Sequence, residues 1–239
     1  MLGKLLKYEF KSTARTFGIL YGVLLLVAIL GSFTMGTNIN EDSLSVITTV
    51  LMVTYSVLVG AIIVITFYMI VTRFYRNLLQ EEGYLMHTLP VHEWQQILSK
   101  LIVAVIWLIL SSIIVILSII AFSMPFLIVV NETVSIKYVF QMFLNTFEPS
   151  YILEILKWGG IALVSCVSGI LQIYMSLAIG NLANRHKKLV AVVAFFCSSI
   201  IIEFLVGFLP DYNLIFDIVF SVIFFVVTEY ILRNHLNLE

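Results

Sequence analysis

Few residues in this chain are of a type and spacing that could do chemistry. Glu81 and Glu82 form an adjacent carboxylate pair that would open an EExxxR intramembrane-protease motif, but position 86 is Met86 and the pair falls in a polar break rather than an apolar run. His87 and His92 stand five positions apart with Pro90 between them, off the i,i+4 face that a helix offers to zinc, and read as loop residues. Cys166 and Cys197 lie in apolar runs without Cys-x-x-Cys or Cys/His company, so they read as small packing residues. HExxH, GxSxG and the GxxxxGK[ST] phosphate loop are all absent, and the expectation is a chain without catalytic or metal-binding residues that binds no ATP itself.

Polar groups inside apolar runs are the remaining candidates, because an ionisable group in hydrocarbon is costly and functional by default. Glu203 and Asp217 both fall near an outer end of their runs, which leaves two readings: snorkelling with local pairing, or lining an outward vestibule that meets a cationic or amphipathic cargo. Glu229, near an inner end, reads as interfacial. Ser165, Ser168, Gln172 and Ser176 recur at three- and four-residue spacing beside Gly169, a stripe that seeks another helix, a subunit interface or a wet path. Gln172 and Ser168 are thus pathway or interface candidates, with ordinary interhelix hydrogen bonding the equal alternative.

The elements that would position these groups are set by composition. The chain is 61% apolar and 11% charged, with a mean hydropathy of +1.08, more apolar surface than a soluble core of this length hides. Runs long enough to cross ~30 Å of hydrocarbon occur at about 17–35, 46–72, 101–130, 155–182, 189–209 and 214–231. With the N-terminus inside, eleven of the thirteen Lys and Arg residues share one side, leaving Lys137 and Lys157 opposite with Glu41, Asp42, Glu132, Glu148, Glu154 and Asp211. The positive-inside rule therefore predicts six transmembrane helices with both termini in the cytoplasm: an all-α, multi-pass protein of the cytoplasmic membrane. Residues 1–16 read as an amphipathic interfacial helix with Leu2, Leu5, Leu6 and Phe10 on one face and Lys4, Lys7 and Lys11 on the other, rather than as a cleavable signal. Residues 17–231 form the membrane domain and 232–239 a cytoplasmic tail. Arg185, His186, Lys187 and Lys188 read as an orientation signal or a phospholipid clamp. No basic face of the size nucleic acid needs is present.

One inward segment, residues 73–100, is long and partly apolar: a helix to Glu82, a Gly83 stop, a turn through Pro90, and a new helix from near His92 running into the third span. Its stretch RNLLQEEGYLMHTLPVHEWQQILSKL, with EEGYLMHTLPV followed by Lys100 at the mouth of the next span, resembles the first cytoplasmic loop of small bacterial permeases of the ATP-binding-cassette (ABC) type-2, or type V, exporters. The resemblance is local to residues 73–101, while six spans, inward termini and an N-terminal interfacial helix extend it to the whole chain as topology. It implies a coupling helix in this loop, with Arg76, Glu81 and Glu82 as polar contacts to an ATPase and Tyr84, Leu85 and Met86 as an apolar plug in its groove. It also implies two copies of a separate ATPase subunit, which bring ATP and magnesium, and a second permease subunit, identical or paralogous. The cargo would be an amphipathic substrate: a peptide, an antimicrobial or a lipid-like molecule. Residues 138–147, with Phe140, Phe143 and Phe147 nearby in an outer segment, could form a small lid. A membrane scaffold or immunity protein that sequesters a ligand shares the hydropathy and needs no coupling helix. A secondary transporter would favour an inverted repeat with interrupted helices, which the chain lacks.

Overall fold

A computed structural model of the chain describes residues 2–36, 41–79, 92–130, 149–183, 185–208 and 213–234. Every described element is helical: α1 (Leu2–Gly36), α2 (Glu41–Leu79), α3 (Glu93–Val130), α4 (Pro149–Asn181), α5 (Lys187–Phe208) and α6 (Asn213–Asn234). Each is long and apolar enough to cross a membrane, with spans at Leu5–Thr34, Val46–Leu79, Glu93–Ser123, Ile152–Asn181, Lys187–Phe208 and Asn213–Asn234. Large apolar side chains such as Phe33, Ile63, Leu153, Ile200 and Phe204 stand more than 60% exposed. In water such a surface would aggregate; in a bilayer it meets a matching solvent.

Hydroxyls on the exposed faces obey the same rule. Thr54 donates to the Val50 carbonyl at 2.8 Å, Ser56 to Met52 at 2.9 Å and Ser112 to Ile109 at 2.8 Å. Each donor is satisfied within its own helix, so none is left bare in hydrocarbon.

The chain divides into two compact units. One comprises residues 11–66 and 107–157. Its described core joins α1 to α3: the Trp107 indole N–H donates to Thr13 Oγ1 at 2.8 Å while its ring stacks on Phe17 at 4.3 Å. Tyr21 and Ser111 share a hydrogen bond of 2.6 Å, and Thr66 on α2 approaches the same Ser111 at 3.3 Å. Further along, Tyr55 bonds Ser118 at 2.8 Å and stacks on Phe122 at 4.7 Å. Gly31 faces that Phe122 ring so closely that any Cβ would collide with it.

The other unit comprises residues 1–10, 67–106 and 158–239. Here Phe74 of α2 stacks on Tyr174 of α4 at 4.1 Å, both rings essentially inaccessible. The turn from α4 to α5 is tight. Leu182 N–H bonds the Ile179 carbonyl at 3.1 Å and Ala183 N–H the Gly180 carbonyl at 3.3 Å, closing α4 with the tighter bonds common at helix ends. His186 adopts a left-handed φ of 58°, and its carbonyl accepts the Leu189 and Val190 N–H groups at 2.9 and 3.1 Å as α5 begins. A Cβ on Gly180 would lie 2.6 Å from Ala191 Cβ and 2.7 Å from the Lys187 carbonyl, so only glycine lets α4 and α5 approach this closely.

The boundary expected between a surface helix over 1–16 and a first span from 17 is not a break in the helix: α1 runs uninterrupted from Leu2 to Gly36. Its buried stripe passes through that boundary, as Glu9, Thr13, Phe17, Tyr21, Leu24 and Ala28 recur every three or four residues. Phe10, assigned to the apolar face, stands exposed, and Glu9 takes the inward position. The fourth helix begins at Pro149, a residue suited to the first helical position, ahead of its apolar span from Ile152.

Candidate functional site: a buried carboxylate joining three helix ends

Near the start of α1, Glu9 is the hub of a charged cluster within one unit. Its Oε1 accepts a hydrogen bond of 2.6 Å from Lys100 Nζ on α3 and another of 3.2 Å from Asn77 Nδ2 on α2. Its Oε2 lies 3.9 Å from Arg73 Nη1, also on α2. The Lys100 side chain is 3% exposed and that of Glu9 is 8%, so the pair is removed from solvent, while Arg73 reaches partly outward at 29%.

Helical spacing explains the convergence. Arg73 and Asn77 are four apart on α2, one above the other on a single face, and Phe74 and Leu78 fill the adjoining core positions. On α3 the buried set Gln96, Ile97, Ser99, Lys100 and Leu101 brings Lys100 inward within the first turns. An ammonium and a carboxylate at 2.6 Å attract by about 6 kcal/mol at an effective dielectric of ~20. Desolvation costs several kcal/mol per ion and offsets much of that. The bond from Asn77 and the Arg73 charge supply part of the remaining compensation, so the cluster is a lock on geometry more than a source of net stability. It offers no nucleophile and no group of metal ligands; no such metal-holding group occurs among the described residues.

The lock sits where α2 ends and α3 begins. Those ends flank residues 80–91, and both are held against α1 through one carboxylate.

The candidates from the sequence are dispersed relative to this cluster. Arg76 is exposed in the last turn of α2. Glu81, Glu82, Tyr84, Leu85, Met86 and His87 lie outside the described residues, as do residues 138–147. His92 is exposed just before α3, and Cys166 and Cys197 are free thiols on exposed positions.

The polar stripe of α4 faces protein. Ser168, Gln172 and Ser176 are buried, and the Gln172 amide donates to Ser198 Oγ at 2.9 Å and Ser199 Oγ at 2.8 Å on α5. Both hydroxyls in turn donate to the Phe195 carbonyl at 2.9 Å. Gln172 thus makes an interhelix bond within the chain. Ser165, at the other end of the stripe, hydrogen-bonds Asp217 of α6, which gives that half-buried carboxylate local pairing. Glu203 is exposed on α5 and has no hydrogen-bond or ion-pair partner among the described residues.

Glu9 and Asn77 were not legible as site residues. The available signal was Glu9 itself: one acid among Lys4, Lys7, Lys11 and Arg15, in register with Thr13 and Phe17 rather than with the lysines. In comparisons with known proteins the chain matches no family model, no curated protein and no solved structure.

Proposed function

We propose that this chain is the permease subunit of an ATP-driven exporter of the ABC type-2 class. It resides in the cytoplasmic membrane with both termini inside and moves an amphipathic substrate (peptide, antimicrobial or lipid-like) outward. ATP and magnesium belong to a separate ATPase present in two copies, and a second permease, identical or paralogous, completes the pathway. The observation that carries this reading is the Glu9 lock. A segment that receives force from a soluble engine must pass it into the membrane through a stiff base, and residues 80–91 connect two helix ends pinned to a third by a buried ion pair. The loop sequence Glu81-Glu82-Gly83-Tyr84-Leu85-Met86, with its resemblance to permease coupling loops, supplies the docking face. The largely apolar, lipid-matched surfaces of α5 and α6, only 6% and 17% buried over their most apolar windows, leave room for a second permease.

The test is a pull-down of the tagged chain from mildly solubilised native membranes, with mass spectrometry of what stays bound. A stoichiometric ABC ATPase is the expected result. A lone oligomer without it would instead favour a scaffold or immunity protein that holds a ligand without turnover.

A further inference from the structure

Outside the Glu9 cluster, α2, α4 and α5 enclose a groove of about 350 Å³ whose walls include Val71 and Tyr75 on α2, Ser176 and Leu177 on α4, and Lys188 and Val192 on α5. All of these belong to one compact unit. The groove opens where Phe67, Val192 and Phe196 stand more than half exposed, on surface that meets hydrocarbon. Its interior is apolar in effect as well as in composition, because the Ser176 hydroxyl is consumed by a 2.7 Å bond to the Gln172 carbonyl of its own helix.

Charge enters only at one end. Lys188 is the single charged residue of the lining, on the first turn of α5, and Tyr75 lies in the last two turns of α2. Lys188 is exposed and has no acidic partner among the described residues. Its position is held by the tight α4–α5 turn, in which Gly180 packs against Ala191 and the Lys187 carbonyl. From Lys188 to Phe196 the groove wall runs along eight residues of helix, or about 12 Å. The lining is apolar along that length, and the exposed Lys188 stands in the first turn of the helix that forms one wall, so the slot is complementary to an acyl chain whose phosphate lies beyond it at the lysine. A zwitterionic headgroup would bring its own cation to Lys188 and lose that advantage.

We infer that this groove is a binding site for an anionic phospholipid, with one acyl chain along α2, α4 and α5 and the phosphate at Lys188. The inference rests on the membrane-spanning character of the helices and is independent of whether an ATPase docks on residues 80–91.

The test uses the full-length protein in bilayer nanodiscs containing equal phosphatidylglycerol and phosphatidylcholine of matched chains, released into native mass spectrometry to count retained lipids. Wild type should retain phosphatidylglycerol in preference, by about fivefold, the equivalent of ~1 kcal/mol for one lysine at an anionic surface. Lys188→Ala should erase most of that preference, Lys188→Arg should keep it, and Val192→Trp, which fills the slot from an exposed position, should lower retention of both lipids. Equal retention of the two lipids by wild type, or an undiminished preference in Lys188→Ala, overturns the site. Loss of self-association in Val192→Trp with lipid retention unchanged would also overturn it, by assigning the groove to a second copy of the chain.

Discussion

Replacing Glu9 with Gln is the perturbation with the sharpest consequence. The carboxylate accepts bonds from Lys100 at 2.6 Å and Asn77 at 3.2 Å and faces Arg73 at 3.9 Å. A neutral amide leaves the Lys100 ammonium, 3% exposed, without the charge that offsets its desolvation. Breaking a buried pair from one side costs about 3–5 kcal/mol. At ~2–4 °C per kcal/mol for a chain of this size, the midpoint should fall by roughly 6–20 °C. Lys100→Met is the informative companion. It leaves Glu9 with Asn77 and with Arg73, whose attraction at 3.9 Å is about 4 kcal/mol at the same effective dielectric, so the loss should be smaller, about 1–3 kcal/mol. The double variant Glu9→Gln/Lys100→Met should be more stable than Glu9→Gln alone, because the second change removes the buried ammonium that the Glu9 carboxylate had neutralised. The assay is a thermal melt of purified full-length protein in mild detergent, followed by tryptophan fluorescence and size exclusion, on wild type and the three variants. A loss below ~1 kcal/mol in Glu9→Gln, or single losses that simply add in the double variant, would refute the lock, since residues in one network do not act additively.

Reversing charge at Glu81 and Glu82 to Lys should abolish co-purification of an ATPase while the membrane domain keeps its melting midpoint; intact co-purification and transport would sink the coupling assignment. Gly180→Ala, which at an open helical site gains up to ~1 kcal/mol, should instead cost about 1–3 kcal/mol in the same melt, because the new methyl meets Ala191 Cβ at 2.6 Å and the Lys187 carbonyl at 2.7 Å. Gln172→Leu removes the amide bonds to Ser198 and Ser199 but leaves both hydroxyls bonded to the Phe195 carbonyl. At an average of ~0.6 kcal/mol for a hydrogen bond between membrane helices, the two together should cost about 1 kcal/mol; unchanged stability with altered cargo selectivity would place Gln172 in the pathway instead.

What the sequence determined by itself is the solvent. Runs of about 20 apolar residues have one way to satisfy their backbone in lipid, so helix number and approximate span follow from composition without knowledge of packing. Periodicity also marked the inward face of α4, because Ser168, Gln172 and Ser176 stay on one side of any helix that contains them. Only tertiary structure decided which charges meet. Glu9 and Lys100 are 91 positions apart, and each alone resembles an ordinary interfacial charge beside a membrane span. Nothing local reports that the ends of α1, α2 and α3 converge, because the contacts that join them link residues far apart in sequence. How far α1 extends towards the N-terminus was illegible for a related reason. A basic, amphipathic start reads as a helix lying on a surface, yet no residue after Leu2 breaks the helix, and burying Glu9 against Lys100 and Asn77 carries α1 inward through the expected boundary. Local patterning states what a segment can bury; the partner it buries against is a property of the assembled bundle.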